Sequence, residues 1–138
     1  MTGMIAVEFD GITLRLLHEC GVYWPDQGVL FVADTHFGKE ATFRYHGIPV
    51  PRGGTDGTLR QIASMLSATN AGRLVILGDM FHARSSLSSD VLDSIDRFFE
   101  EHDRLRCTLV RGNHDARIGA LPSHWPLTIV DPGAQIER

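Results

Sequence analysis

The sequence predicts an α/β fold built on a partly parallel sheet, on three observations. Short aliphatic runs recur at residues 29–33, 74–77 and 105–110, the length and composition of strands buried on both faces. The segments between them repeat apolar residues at helical spacing: Leu59, Ile62, Ala63 and Leu66 in one, and Val91, Leu92, Ile95, Phe98 and Phe99 in the other. Each run also ends in polar residues of metal-ligand type. Strand, helix, strand, helix, strand in chain order implies parallel crossover units.

The elements follow in order. Residues 4–9 form a short apolar stretch, and Asp10-Gly11 is a hairpin turn signal. Ile12, Leu14 and Leu16 alternate with Thr13 and Arg15, which reads as a strand with one wet face. Residues 22–24 read as another strand, and Pro25-Asp26-Gln27-Gly28 puts Pro and Gly where a β-turn uses them. The run 29–33 leads straight into Asp34. Residues 37–54 carry Gly38, Gly47, Pro49, Pro51, Gly53 and Gly54 and read as irregular. Thr55 is then the expected N-cap of a helix over 56–69, stopped by Asn70-Ala71-Gly72. The buried strand 74–77 ends in Gly78-Asp79. Ser88 or Ser89 caps the next helix, with Asp90 near its positive end. The strand 105–110 leads into Arg111-Gly112-Asn113-His114-Asp115, residues 127–130 read as one more strand, and Asp131-Pro132-Gly133 is a turn.

A chain of 138 residues has room for one domain, expected over 1–138. Thirteen Lys plus Arg against 17 Asp plus Glu give a net charge of −4, which excludes a strongly basic nucleic-acid module. A metal-dependent enzyme acting on phosphate esters is not excluded, because bound cations reverse the local charge. The longest aliphatic run, Leu74-Val75-Ile76-Leu77, is far short of the roughly 20 residues of a membrane span, and the first residues show no basic stretch followed by an apolar one. A cytoplasmic chain without membrane association is expected. Cys20 and Cys107 lack CxxC spacing and read as two buried free thiols, with a single disulfide as the alternative.

In open α/β sheets functional groups gather beyond the carboxyl ends of the strands. The three central strands deliver Asp34-Thr35-His36, Gly78-Asp79 with His82 three residues on, and Gly112-Asn113-His114-Asp115 to one such edge. Each tip alone is ordinary turn chemistry. Together they supply carboxylates, an amide oxygen and imidazoles, a donor set suited to Mn, Fe, Zn or Mg. Such a set can hold two cations about 3.5–4 Å apart, the arrangement that clamps both oxygens of a phosphoryl displacement.

Asp34-x-His36, Gly78-Asp79 and Gly112-Asn113-His114-Asp115, in that order, resemble the calcineurin-like metallophosphoesterase superfamily. Residues 33–40, Ala-Asp-Thr-His-Phe-Gly-Lys-Glu, and 47–53, Gly-Ile-Pro-Val-Pro-Arg-Gly, are similar to its ligase-associated DNA-damage-response endonuclease branch. The resemblance implies a β-sandwich flanked by helices, in α/β/β/α layers. It implies two divalent metal ions, manganese first, with iron, zinc or magnesium as alternatives. By the same resemblance Asp34 and His36 bind one metal, Asp79 bridges both, and Asn113 binds the second. His114 serves as general acid or transition-state stabiliser with Asp115 orienting its ring, and a hydroxide between the metals is the nucleophile. Substrate contacts fall to His82, Lys39, Arg52 and Arg84.

The chain departs from the superfamily pattern C-terminal to His114. It contains no Gly-His-x-His, and its only later histidine is His124, in a Ser-His-Trp-Pro context. The resemblance therefore covers the N-terminal half to two-thirds of a family domain, C-terminally truncated. The expected function is a metal-dependent phosphodiesterase or nuclease acting on DNA. The alternatives are a phosphatase or phosphodiesterase for small molecules or nucleotides, and a catalytically incomplete fragment that binds metal or protein. Association with DNA ligase or other repair proteins is implied by the branch. A homodimer is expected from a sheet left partly bare.

Overall fold

The computed structural model describes residues 3–112 and 115–133. Seven strands, β1 (Met4–Phe9), β2 (Ile12–Leu17), β3 (Val22–Trp24), β4 (Val29–Ala33), β5 (Arg73–Leu77), β6 (Arg106–Val110) and β7 (Leu127–Val130), form one sheet whose spatial order is the chain order. β1 to β4 pair antiparallel and β4 to β7 pair parallel. Helices α1 (Lys39–Tyr45) and α2 (Gly54–Thr69) join β4 to β5, α3 (Ser89–Glu101) joins β5 to β6, and α4 (Asp115–Ile118) lies between β6 and β7.

The α/β class is as the sequence predicts, and one feature of the arrangement differs. The N-terminal strands, which the layered β-sandwich implied by the resemblance would place in a second sheet, continue the same ladder through Val22↔Phe31, Tyr23↔Leu30 and Trp24↔Val29. A single 3-10 turn, Pro25–Gln27, closed by Gly28 in the left-handed conformation (φ 63), reverses the chain. So short a connection sets β3 beside β4 as an antiparallel neighbour.

Alternation along the strands places Leu30, Val32, Leu74, Ile76 and Leu109 on one face. There they meet Ile62, Met65 and Leu66 of α2 and Val91, Ile95, Phe98 and Phe99 of α3 in a single core. Ile95 is 1% exposed, and truncating such a residue to Ala costs about 2–5 kcal/mol. On the opposite face Val29 and Val75 are buried, and exposure grows toward the strand ends, where Leu77 in the row Ala33↔Leu77↔Val110 is 42% exposed. At the far edge β1 leaves Ile5 and Phe9 67% and 71% exposed.

Three local expectations are corrected. Residues 37–54 hold α1, a two-turn helix whose bounding Gly38 (φ 77) and Gly47 (φ 79) sit at its ends rather than inside it. α2 begins at Gly54, with Gly53 rather than Thr55 at the N-cap. Thr55 is buried: its hydroxyl accepts the Gly38 N–H (2.8 Å) and donates to Glu40 Oε1 (2.8 Å), while its own N–H donates to Glu40 Oε2 (2.7 Å). A Glu40 carboxylate thus takes the cap's place at the positive end of α2. Both cysteines are free, but only Cys107 is buried; Cys20 is exposed in the turn after β2, a tight turn (φ 71) that leaves its side chain no core to enter. Among the described residues, no helix is long and apolar enough to cross a membrane.

Candidate metal centre

β4 and β5 run parallel, and their ladder carries on past the strand ends. The Asp34 N–H donates to the Gly78 carbonyl (3.3 Å), His36 N–H to Asp79 (3.1 Å) and Phe37 N–H to Met80 (2.7 Å), and the Thr35 hydroxyl donates to the Met80 carbonyl (3.0 Å). Two polar tips that are far apart in sequence are thereby fixed side by side. One ligand atom from each of Asp34, His36 and Asp79 lies within 4.8 Å of the others.

The backbone at these residues is strained in a consistent way. Asp34 (φ 50), His36 (φ 46) and Asp79 (φ 47) all adopt the left-handed conformation. Non-glycine residues seldom do so, and each costs of order 1–3 kcal/mol unless surrounding structure holds it. The only other described non-glycine residues with positive φ are Asp10, Cys20 and Asn70; Asp10 and Cys20 lie in turns and Asn70 is the C-cap of α2.

Asp115 supplies much of the hold. It is 9% exposed, and its carboxylate accepts three backbone N–H bonds. Asp79 N and Gly112 N both donate to Oδ2 at 2.7 Å, and Met80 N donates to Oδ1 at 3.0 Å. These bonds tie the loop after β5 to the loop after β6 at the base of the ligand cluster. Gly112 completes the junction. A Cβ there would lie 2.9 Å from both the Asp79 nitrogen and its Oδ1, so only glycine lets the two loops meet.

The other expected site residues are placed as follows. The His82 ring stands edge-on to His36 (centroids 5.6 Å) and to Phe43 (6.1 Å), and Lys39 Nζ lies 5.6 Å from the Phe43 ring centre. His82 is therefore against the cluster and Lys39 one aromatic ring away. Arg52 pairs with Asp90 (3.5 Å), which Arg44 also contacts (3.5 Å). Hydrogen bonding to Ser88, ahead of the two guanidinium charges, holds the Asp90 carboxyl below its usual range. Arg84 donates to the Ile118 carbonyl (2.6 Å) at the end of α4. His124 contacts Asp96 on α3 (2.9 Å), and the Trp125 indole N–H donates to the same oxygen (2.6 Å). Trp125 first and His124 second lower the Asp96 carboxyl. Asn113 and His114 lie outside the described residues.

The donor set fits a divalent cation. Two carboxylates drawn together repel one another, and a cation between them removes that cost. Mixed hard oxygen and imidazole donors suit Mn, Fe, Zn or Mg.

The sequence pattern of calcineurin-like phosphoesterases matches residues 28–133. The structure is similar to the crystal structure of Pseudomonas putida nuclease MPE, with a TM-score of 0.86 and 31% sequence identity. The match covers 98% of this chain and 63% of that one, so the chain spans somewhat under two-thirds of the nuclease's length. No curated protein matches the sequence.

Proposed function

The chain belongs to the calcineurin-like phosphoesterase family, and from that premise we propose that it hydrolyses phosphodiesters with bound divalent metal and that its substrate is DNA. The observation that carries the reading is the convergence of Asp34, His36 and Asp79, each in a left-handed backbone conformation, at the carboxyl edge of the parallel strands. The similarity to a nuclease at 31% identity supports a nucleic-acid substrate, as does the branch resemblance of residues 33–40 and 47–53, which also underlies association with a DNA ligase or other repair protein.

Asp34, His36 and Asp79 would hold one cation, and Asp79 with Asn113 would supply donors to a second. Manganese is the first choice among the metals the donors accept. When bound, such a pair provides Lewis-acid stabilisation and lowers the pKa of water toward neutrality. The chain's own groups do the rest. Asp115 fixes the loop that carries Asp79, His82 braces His36, and His114, by the family resemblance, would give the proton to the departing oxygen.

The decisive assay offers single-stranded DNA, double-stranded DNA, a cyclic nucleotide and a chromogenic diester to the Mn²⁺-loaded chain. Cleavage of DNA that is abolished by Asp34→Ala supports the proposal. Turnover confined to the cyclic nucleotide and the diester points instead to a small-substrate enzyme. Metal binding without any turnover favours a second reading, a chain that binds metal but lacks the donors for catalysis. The observation behind that reading is that the chain spans 63% of its nuclease relative and contains no Gly-His-x-His.

We extend the proposal to self-association. Ile5 and Phe9 on the edge strand β1 and Leu77 at the end of β5 are exposed apolar residues of one sheet, and an exposed apolar edge of this kind invites pairing with a second copy. Light scattering at micromolar concentration should give a dimer mass; a well-behaved monomer would overturn this part.

A further inference from the structure

A groove of about 350 Å³ runs between α2 and the turn after β2, and Asp34 and Thr35 form part of its wall. The metal cluster thus borders a cavity that the proposed chemistry leaves unused, of a size suited to a small ligand. Ile62 and Met65 line its apolar side, and Thr58 and Gln61 of α2 add polar groups. Glu19 lies in the same wall, its Oε2 accepting from the Ser64 hydroxyl at 3.2 Å. No Lys or Arg is among the described residues that line it.

This chemistry selects an occupant. Two carboxylates, Glu19 and Asp34, against one imidazole, His18, and no Lys or Arg make the groove a poor seat for a second phosphate. Apolar wall atoms favour a flat, uncharged ring, and carboxylate and amide oxygens favour one that donates N–H groups. We propose that the groove is a nucleobase subsite: it receives the base of the nucleotide whose phosphate sits at the Asp34–His36–Asp79 cluster, while the remaining backbone phosphates run elsewhere. The proposal rests on the nuclease reading above and deepens it by assigning the site one unpaired base beside the scissile bond. Burial of a base against Ile62 and Met65 removes apolar surface from water, which is read as an affinity increment.

The test is a binding measurement on the Mn²⁺-loaded chain, which needs no turnover. Calorimetry compares deoxyadenosine monophosphate, deoxyribose 5-phosphate and inorganic phosphate on the wild type and on Gln61→Trp, an exposed position on α2 from which an indole fills the groove. Glu19→Gln serves as a second variant that keeps the side chain's size. The expected result is at least tenfold tighter binding of the nucleotide than of the sugar phosphate. Gln61→Trp should erase that increment, Glu19→Gln should reduce it, and inorganic phosphate should bind all three proteins alike. Equal affinity for nucleotide and sugar phosphate, or an increment that survives Gln61→Trp, overturns the subsite and leaves the phosphoesterase reading standing. Failure of all three ligands to bind overturns both.

Discussion

Asp115→Asn is the substitution that most sharply tests how the site is held. The carboxylate accepts three N–H bonds at 2.7, 2.7 and 3.0 Å, in the range of charge-assisted bonds. An asparagine keeps one acceptor oxygen. Turned so that this oxygen serves Asp79 N and Gly112 N, it weakens both bonds from the charged to the neutral range, about 1 kcal/mol each. Its amide NH₂ then faces the Met80 N–H, a donor against a donor, which forfeits a bond worth about 1.5–3 kcal/mol. The sum is a loss of about 3.5–5 kcal/mol, a large share of a typical domain's stability of about 5–15 kcal/mol. Urea denaturation followed by circular dichroism reads that loss as a lower midpoint at unchanged slope. Because the same bonds hold Asp79, Mn²⁺ affinity should fall in parallel. Asp96→Asn, at a partly exposed carboxylate that accepts from Trp125 and His124 instead, should leave Mn²⁺ binding untouched. A variant within 0.5 kcal/mol of wild type, with full Mn²⁺ affinity, would refute the clamp.

Three further outcomes are expected. Gly112→Ala drives a methyl group to 2.9 Å from Asp79 N and Oδ1, so it should cut Mn²⁺ affinity at least tenfold, and a fully competent variant would show that the loops have slack. Burial pushes the Cys107 thiol up to about 12 from 9.0, whereas Cys20 is exposed; a thiol reagent at pH 8 should therefore label one cysteine in the native chain and two after unfolding. The same shift sets a sign for pH dependence. Above pH 9 the unfolded chain releases the Cys107 proton and the folded chain keeps it, so stability should fall as pH rises through that range, by up to about 1.4 kcal/mol per unit, a dependence that Cys107→Ala should remove.

The strands were legible because buried aliphatic runs such as 29–33 and 74–77 carry their own signal, and α3 because Val91, Ile95, Phe98 and Phe99 repeat at 3.6 residues. α1 was not, since only Ala41 and Thr42 are buried in its two turns and the glycines at its ends read as breakers of the whole segment. The role of Thr55 was hidden for a different reason. A Thr before a helical run scores as a cap, and nothing local reveals that Glu40, fifteen residues earlier, takes that place. The attachment of β3 to β4 depended on turn geometry at Gly28, which composition does not report. At the site, Asp34, His36 and Asp79 were readable as ligand types at strand ends. The task that the structure gives Asp115 was not, because its three partners are backbone N–H groups, which carry no side-chain signature, and the close approach at Gly112 is likewise a property of two loops at once.

Whether Asp34, His36 and Asp79 form a metal centre is tested most directly by Mn²⁺ calorimetry on the wild type and on Asp79→Ala. One ion should bind tightly, held by Asp34, His36 and Asp79, with a second bound more weakly, and Asp79→Ala should lose at least tenfold in affinity for the first and all measurable binding of the second. A wild type that binds no Mn²⁺, or an Asp79→Ala protein that binds it as well as the wild type, would contradict the account.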